Sequence, residues 1–131
     1  MKIVLKNATI DVLVKRTIVP QELPIREGAI IQGGNTFLLS SNYTHSLIEL
    51  DGEGVATLVK DPSTEYAKNI VAFAFLTGEP TTSSIPFADS RKLMQIYEGS
   101  QTESIPANAK YLYITREVEN EDRTPQSIIL E

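Results

Sequence analysis

Seven consecutive apolar residues, Ile70-Val71-Ala72-Phe73-Ala74-Phe75-Leu76, form the longest unbroken apolar run in this 131-residue chain. Seven residues make a full strand but only about two helical turns, so the run predicts a β-strand rather than a helix. A strand that is apolar on both alternating sets of side chains needs both faces covered. The chain must therefore build a layer on each side of residues 70–76, and a single exposed sheet is excluded.

The rest of the chain supplies such layers in short pieces. In Ser104-Ile105-Pro106-Ala107-Asn108-Ala109-Lys110-Tyr111-Leu112-Tyr113-Ile114-Thr115, a proline that lacks an N–H suits the start of a strand and not its middle. After it, Tyr111 and Tyr113 point to one face and Leu112 and Ile114 to the other. Residues 105–116 are thus expected as a strand. Ile10, Val12 and Val14 alternate in the same way. Gly33-Gly34-Asn35 is a turn signal between Ala29-Ile30-Ile31 and Phe37-Leu38-Leu39, which predicts a hairpin. Leu47 to Leu50 and the β-branched stretch Val55 to Val59 flank Asp51-Gly52-Glu53-Gly54, expected as a second hairpin turn. Residues 77–90 are rich in Gly, Pro, Ser and Thr and read as loop, and Lys92 to Tyr97 fits a strand or one helical turn. No helical period persists for three turns. Short strands with turn chemistry between them predict an all-β protein, an antiparallel β-sandwich or barrel.

Composition narrows the function classes. The length suits one domain with a real core. There is no cysteine, which excludes disulfides and thiolate metal sites and fits folding in a reducing cytosol. The first residues, Met1-Lys2-Ile3-Val4-Leu5-Lys6-Asn7, carry too short an apolar run for a secretory signal, and no run approaches membrane-spanning length. No membrane partner is expected. The net charge is −5, with acidic residues outnumbering basic ones 17 to 12 and no basic cluster, so nucleic acid is not an expected partner. The sequons at Asn7 and Asn42 read as accidental without a secretory signal.

Few residues could carry chemistry. His45 is the only histidine, and its neighbours Ser40 to Ser46 offer hydroxyls but no positioned base and orienter. It reads as structural or surface. Glu49, Asp51 and Glu53 around Gly52 could offer oxygens to calcium, but the full calcium-loop pattern is missing and a solvated turn is the simpler reading. Gly33-Gly34 is not followed by a phosphate-loop helix. Tyr43, Tyr66, Tyr97, Tyr111, Tyr113 and Phe87 could form a sugar-stacking surface, although tyrosines on alternating strands more often cap a core edge. No catalytic residue, cofactor or metal site is expected, and the chain reads as non-enzymatic.

Four strings carry a family resemblance: Asn42-Tyr43-Thr44-His45-Ser46-Leu47-Ile48-Glu49-Leu50-Asp51-Gly52, Ala72-Phe73-Ala74-Phe75-Leu76, Ser83-Ser84-Ile85-Pro86, and Ile105-Pro106-Ala107-Asn108-Ala109-Lys110-Tyr111-Leu112-Tyr113-Ile114. Together, over about residues 42–116, they resemble the carbohydrate-binding-module-like jelly-roll domain of tailed-bacteriophage virion proteins, including phages of gut Bacteroidetes and crAss-like phages, and of bacterial surface proteins. In that pattern a Tyr-x-His-Ser/Thr string opens a strand, and a proline-alanine-lysine-tyrosine string leads into the last one. Many relatives carry Tyr-Asp after the central Phe, where this chain has Phe75-Leu76, so no role of that Asp carries over.

The resemblance implies a jelly-roll sandwich and a virion structural protein, capsid-associated or fibre-anchoring, assembled in the host cytoplasm. It implies other virion proteins and further copies of the chain, a homo-oligomer, as partners. The alternative it leaves open is a glycan-binding adhesion module that contacts a surface glycan through Tyr43, His45 and Tyr97. A hydrolase on the same scaffold ranks last. The expected organisation is N-terminal strands and a proline-broken docking arm over 1–27, the sandwich over 28–116, and a charged tail over 117–131 ending in an apolar patch. Pro20, Pro24, Ile128, Ile129 and Leu130 are the candidate docking residues, with the tail folded back onto its own sandwich as an edge strand as the competing explanation.

Overall fold

The computed structural model describes residues 2–5, 8–11, 15–31, 34–39, 43–60, 71–96, 99–116 and 124–131. Its strands are β1 (Lys2–Leu5), β2 (Ala8–Asp11), β3 (Arg16–Ile18), β4 (Arg26–Glu27), β5 (Ala29–Ile31), β6 (Thr36–Leu38), β7 (Thr44–Glu49), β8 (Val55–Val59), β9 (Val71–Leu76), β10 (Met94–Ile96), β11 (Ser100–Ser104), β12 (Tyr111–Arg116) and β13 (Ser127–Leu130). Every strand pair is antiparallel. A five-stranded sheet has the order β10-β9-β12-β7-β4, and a four-stranded sheet the order β11-β8-β13-β3. The molecule is an all-β sandwich of these two sheets. Two further hairpins, β1–β2 and β5–β6, pair within themselves.

Over its described residues, 71–76, the apolar run lies where its pattern requires. Strand β9 is interior to the five-stranded sheet, and its alternating side chains enter two different cores. Phe73 and Phe75 point between the sheets with Ile48, Leu112 and Ile114, against Ala56, Leu58, Ile128 and Leu130 of the facing sheet. Ala74 and Leu76 point outward with Tyr113, under Ile30 and Phe37 of the β5–β6 hairpin and half-buried Ile85, Phe87 and Leu93. The alternation read from Tyr111 to Ile114 separates the same two cores. The 29–39 hairpin forms as expected, with Ile30 opposite Phe37.

Four expectations are corrected. The Asp51-Gly52 turn does not make a hairpin, because β7 lies in one sheet and β8 in the other; the turn carries the chain across the sandwich. Residues 105–110 are turn, with the Ala109 N–H returned to the Pro106 carbonyl, and the strand starts at Tyr111. The docking patch Ile128-Ile129-Leu130 is an interior strand between β8 and β3. Ile128 and Leu130 are fully buried in the chain's own core and Ile129 is half-buried, so burial within the sandwich takes up the apolar surface assigned to a partner.

The fourth correction concerns the arm. Pro20 opens a short 3-10 helix, Pro20–Glu22, and is itself fully buried. The exposed Pro24 gives its carbonyl to the Ser46 hydroxyl at 2.8 Å. The buried Arg116 donates to the Leu23 carbonyl at 3.0 Å and to Ser46 Oγ at 3.3 Å, while Thr44 Oγ1 donates to the Arg116 carbonyl at 2.7 Å. The proline-broken segment is thus strapped to β7 and β12 by groups that would otherwise be costly to bury. With β3, β4 and β13 all in the two sheets, the boundaries at 28 and 116 do not separate the sandwich from its flanks.

Candidate functional site

Strand β7 places His45 on the outer face of the five-stranded sheet, opposite Arg26 of β4. Its side chain is only 3% exposed. The imidazole stacks on Tyr113 with centroids 5.3 Å apart and meets the Phe37 ring edge-on at 5.5 Å. Its Nδ1 lies 2.8 Å from the Gly28 carbonyl. A carbonyl only accepts, so Nδ1 carries the proton and Nε2 of the neutral ring is a lone-pair acceptor. Burial lowers the His45 pKa from its ordinary 6.5; the Arg26 guanidinium adds to this, while the Gly28 carbonyl and Glu79 oppose it.

Beside the ring is an open hollow of about 330 Å³. Phe37, Pro80 and the 56%-exposed Leu39 give it apolar walls, and Arg26, Glu79, Thr81 and Thr82 give it polar ones. Arg26 Nη1 pairs with Glu79 Oε1 at 2.9 Å. A neutral imidazole and a closed ion pair leave the walls with both donors and acceptors. A second hollow, of about 460 Å³, shares Phe37, Thr81 and Thr82 and adds Asn35, Thr36, Ser83 and Ser84.

Among the described residues, the aromatic side chains singled out for a sugar surface do not come together on one exposed face. Tyr113 is fully buried and donates its ring to the outer core; its phenol oxygen accepts the Ile30 N–H at 2.7 Å and shares a bond with Thr115 Oγ1 at 2.8 Å. Burial pushes its pKa up to about 12. Tyr111 and Phe87 are half-buried. Tyr43 is 41% exposed but does not line the His45 hollow. Tyr97 and Tyr66 lie outside the described residues, as does the charged run 117–123.

The acidic turn is committed within the chain. Glu53 takes Arg16 Nη2 at 2.7 Å and Nε at 3.0 Å, and receives the Asp51 N–H at 2.9 Å. Burial pushes the Glu53 carboxyl up, but the Asp51 N–H and Arg16 outweigh it and hold it below its usual value. Among the described residues no group of three acidic or histidine side chains is arranged to hold a metal ion.

Sequence reasoning singled out His45 but not its neighbours. Arg26, Phe37 and Glu79 come from three distant segments, and no local pattern marks them as a set. The available local signal was the isolated Gly28 at the head of the Ala29-Ile30-Ile31 run, since such a glycine can mark a close backbone approach. A Cβ at Gly28 would stand 2.7 Å from Phe37 Cζ.

No helix among the described residues is long and apolar enough to cross a membrane. Comparison with protein-family models, curated proteins and solved structures finds no significant match.

Proposed function

We propose that this chain is a non-enzymatic bacteriophage virion protein, a jelly-roll sandwich that is associated with the capsid or anchors a fibre. The observation that supports the architecture of this reading is the strand order. One sheet runs β3-β13-β8-β11 and the other β7-β12-β9-β10, with β4 added at an edge. From β7 onward successive strands change sheet except at β9–β10, an alternation that supports a jelly-roll reading of the sandwich. Capsid and lectin domains both use that architecture, and a fold alone does not choose between them. The resemblance over 42–116 favours the virion. With Ile128 and Leu130 inside the core, docking falls to exposed apolar side chains on the segment that carries β4 to β7: Ile25, Leu38, Leu39 and Tyr43. Gold-labelled antibody against this chain, applied to phage particles from cells that carry its gene, should decorate fixed positions. A chain found only in the unassembled soluble fraction overturns the reading.

The hollow beside His45 favours a second reading, a glycan-binding module. Apolar walls suit the C–H face of a sugar, and the uncharged imidazole, the threonines and the Arg26–Glu79 pair suit its hydroxyls. Titration of the His45 ring signals with a panel of mono- and disaccharides tests it. No saturable shift with any sugar rejects it.

A further inference from the structure

We propose that the β5–β6 hairpin is an acid-released flap, closed over the outer face of the five-stranded sheet while His45 is neutral and lifted about Gly28 when the imidazole takes up a proton. The hairpin pairs with neither sheet, so no ladder holds it down. It covers the sheet through Ile30 and Phe37, which pack on Ala74, Leu76 and Tyr113. A polar tie from the hairpin to the sheet is the Ile30 N–H bond to the Tyr113 hydroxyl, while the His45 Nδ1–H bond to the Gly28 carbonyl places the imidazole against the pivot. Gly28 joins β4 to the hairpin at φ +88°, a conformation natural to glycine, and so marks where the flap can turn.

The imidazole is the one titrating ring clamped between flap and sheet, with Phe37 against its edge and Tyr113 against its face. From β4 it is faced by Arg26 and Glu27, from the loop after β9 by Glu79, and from β12 by the Tyr113 phenol. Arg26 is already paired with Glu79, so a proton on His45 places a second cation beside the guanidinium, in a site closed to water on most sides. Lifting the flap hydrates that charge. It also removes the Phe37 wall from the hollow and uncovers the part of Ala74, Leu76 and Tyr113 that Ile30 and Phe37 shield.

The sign follows from linkage. The closed form holds the His45 pKa below 6.5, and the open form returns it toward that ordinary value. Closure is therefore complete above the ordinary value. It weakens as pH falls toward the lowered value and levels off below it. The proposal depends on neither the particle nor a ligand for the hollow.

Hydrogen exchange on the full ¹⁵N-labelled chain, corrected for the intrinsic pH dependence of exchange, tests it. Protection of the Ile30 amide should fall with pH across the His45 transition, by at most about tenfold per pH unit, the limiting slope for one proton. The Leu112 and Ile128 amides of the sandwich should keep theirs. His45→Gln retains a donor for the Gly28 carbonyl but cannot titrate, and its Ile30 protection should be flat. Arg26→Gln, at an exposed position, removes the cation that lowers His45 and should shrink the acid loss. This second variant keeps the test decisive if the buried glutamine does not fold. Ile30 protection that stays flat in the native protein through the His45 transition overturns the proposal. So does protection that falls in step with Leu112 and Ile128.

Discussion

The two faces of the five-stranded sheet are built from the same strands but held by different physics. The inner face is an apolar cluster of Phe73, Phe75, Leu112, Ile114 and Ile48, opposed by a second sheet. Nothing in that cluster has to find a hydrogen-bond partner, so its stability follows from area and shape alone. The outer face carries Ala74, Leu76 and Tyr113 with His45 beside them, and its cover is a two-stranded hairpin together with the loop residues Ile85, Phe87 and Leu93. Here the phenol oxygen, the imidazole and the Ile30 N–H each need the partner they have. The apolar cluster of the inner face is indifferent to pH and bond direction, and the outer face depends on both. One strand thereby serves a permanent core with its odd-numbered phenylalanines and a conditional one with Ala74 and Leu76.

The largest expected effect breaks the inner face. Phe73→Ala should cost about 3–5 kcal/mol in chemical denaturation, because a large buried ring leaves a cavity that strands on both sides cannot collapse into. A loss below about 1 kcal/mol would show that the inner core tolerates vacancy and would remove the contrast. Next comes the outer face. In Gly28→Ala, the new methyl meets Phe37 Cζ at 2.7 Å and the Leu38 carbonyl at 2.8 Å, at a backbone angle that already disfavours it. About 1–3 kcal/mol of strain is expected there. It should appear as lost exchange protection at Ile30 with the Leu112 and Ile128 amides unchanged; loss of all three together would make the two faces one cooperative unit. The smallest effect sharpens the comparison. Glu79→Gln breaks a surface ion pair and should change global stability by less than about 1 kcal/mol. Because Glu79 raises the His45 pKa, its neutralisation should move the imidazole transition further down, read from the His45 Cε1 proton. An upward move would contradict the electrostatics assigned to the outer face.

Much of the architecture was legible because its signals are local. The seven-residue run located β9, the Tyr/Leu alternation located β12 and both cores, and the Gly-Gly-Asn turn located β5–β6. Beyond that hairpin, which strand lies beside which was not legible. Asp51-Gly52 announces a change of direction, but turn chemistry does not say whether the next strand stays in the same sheet. Ile128-Ile129-Leu130 looked like an apolar patch in search of a partner because its neighbours, β8 and β3, are remote in sequence. Strands β3 and β4 are three and two residues long, too short to show a period. The His45 site was half legible. A single histidine draws notice, but its surroundings come from three separated segments, and a pocket made that way has no sequence spacing to read.

The pairing of β13 with β3 has a kinetic consequence. Residues 127–130 and 16–18 lie side by side, so the four-stranded sheet closes only through contacts of very high sequence separation. Sandwiches dominated by such contacts fold in milliseconds to seconds, far more slowly than locally wired chains. On a ribosome adding about 5–20 residues per second, β8 waits with an unoccupied edge through the synthesis of everything between it and Leu130. During that interval the nascent chain offers an open apolar edge to any passing strand. Soluble yield should therefore respond more to how quickly the last strand is delivered than to the stability of the finished sandwich.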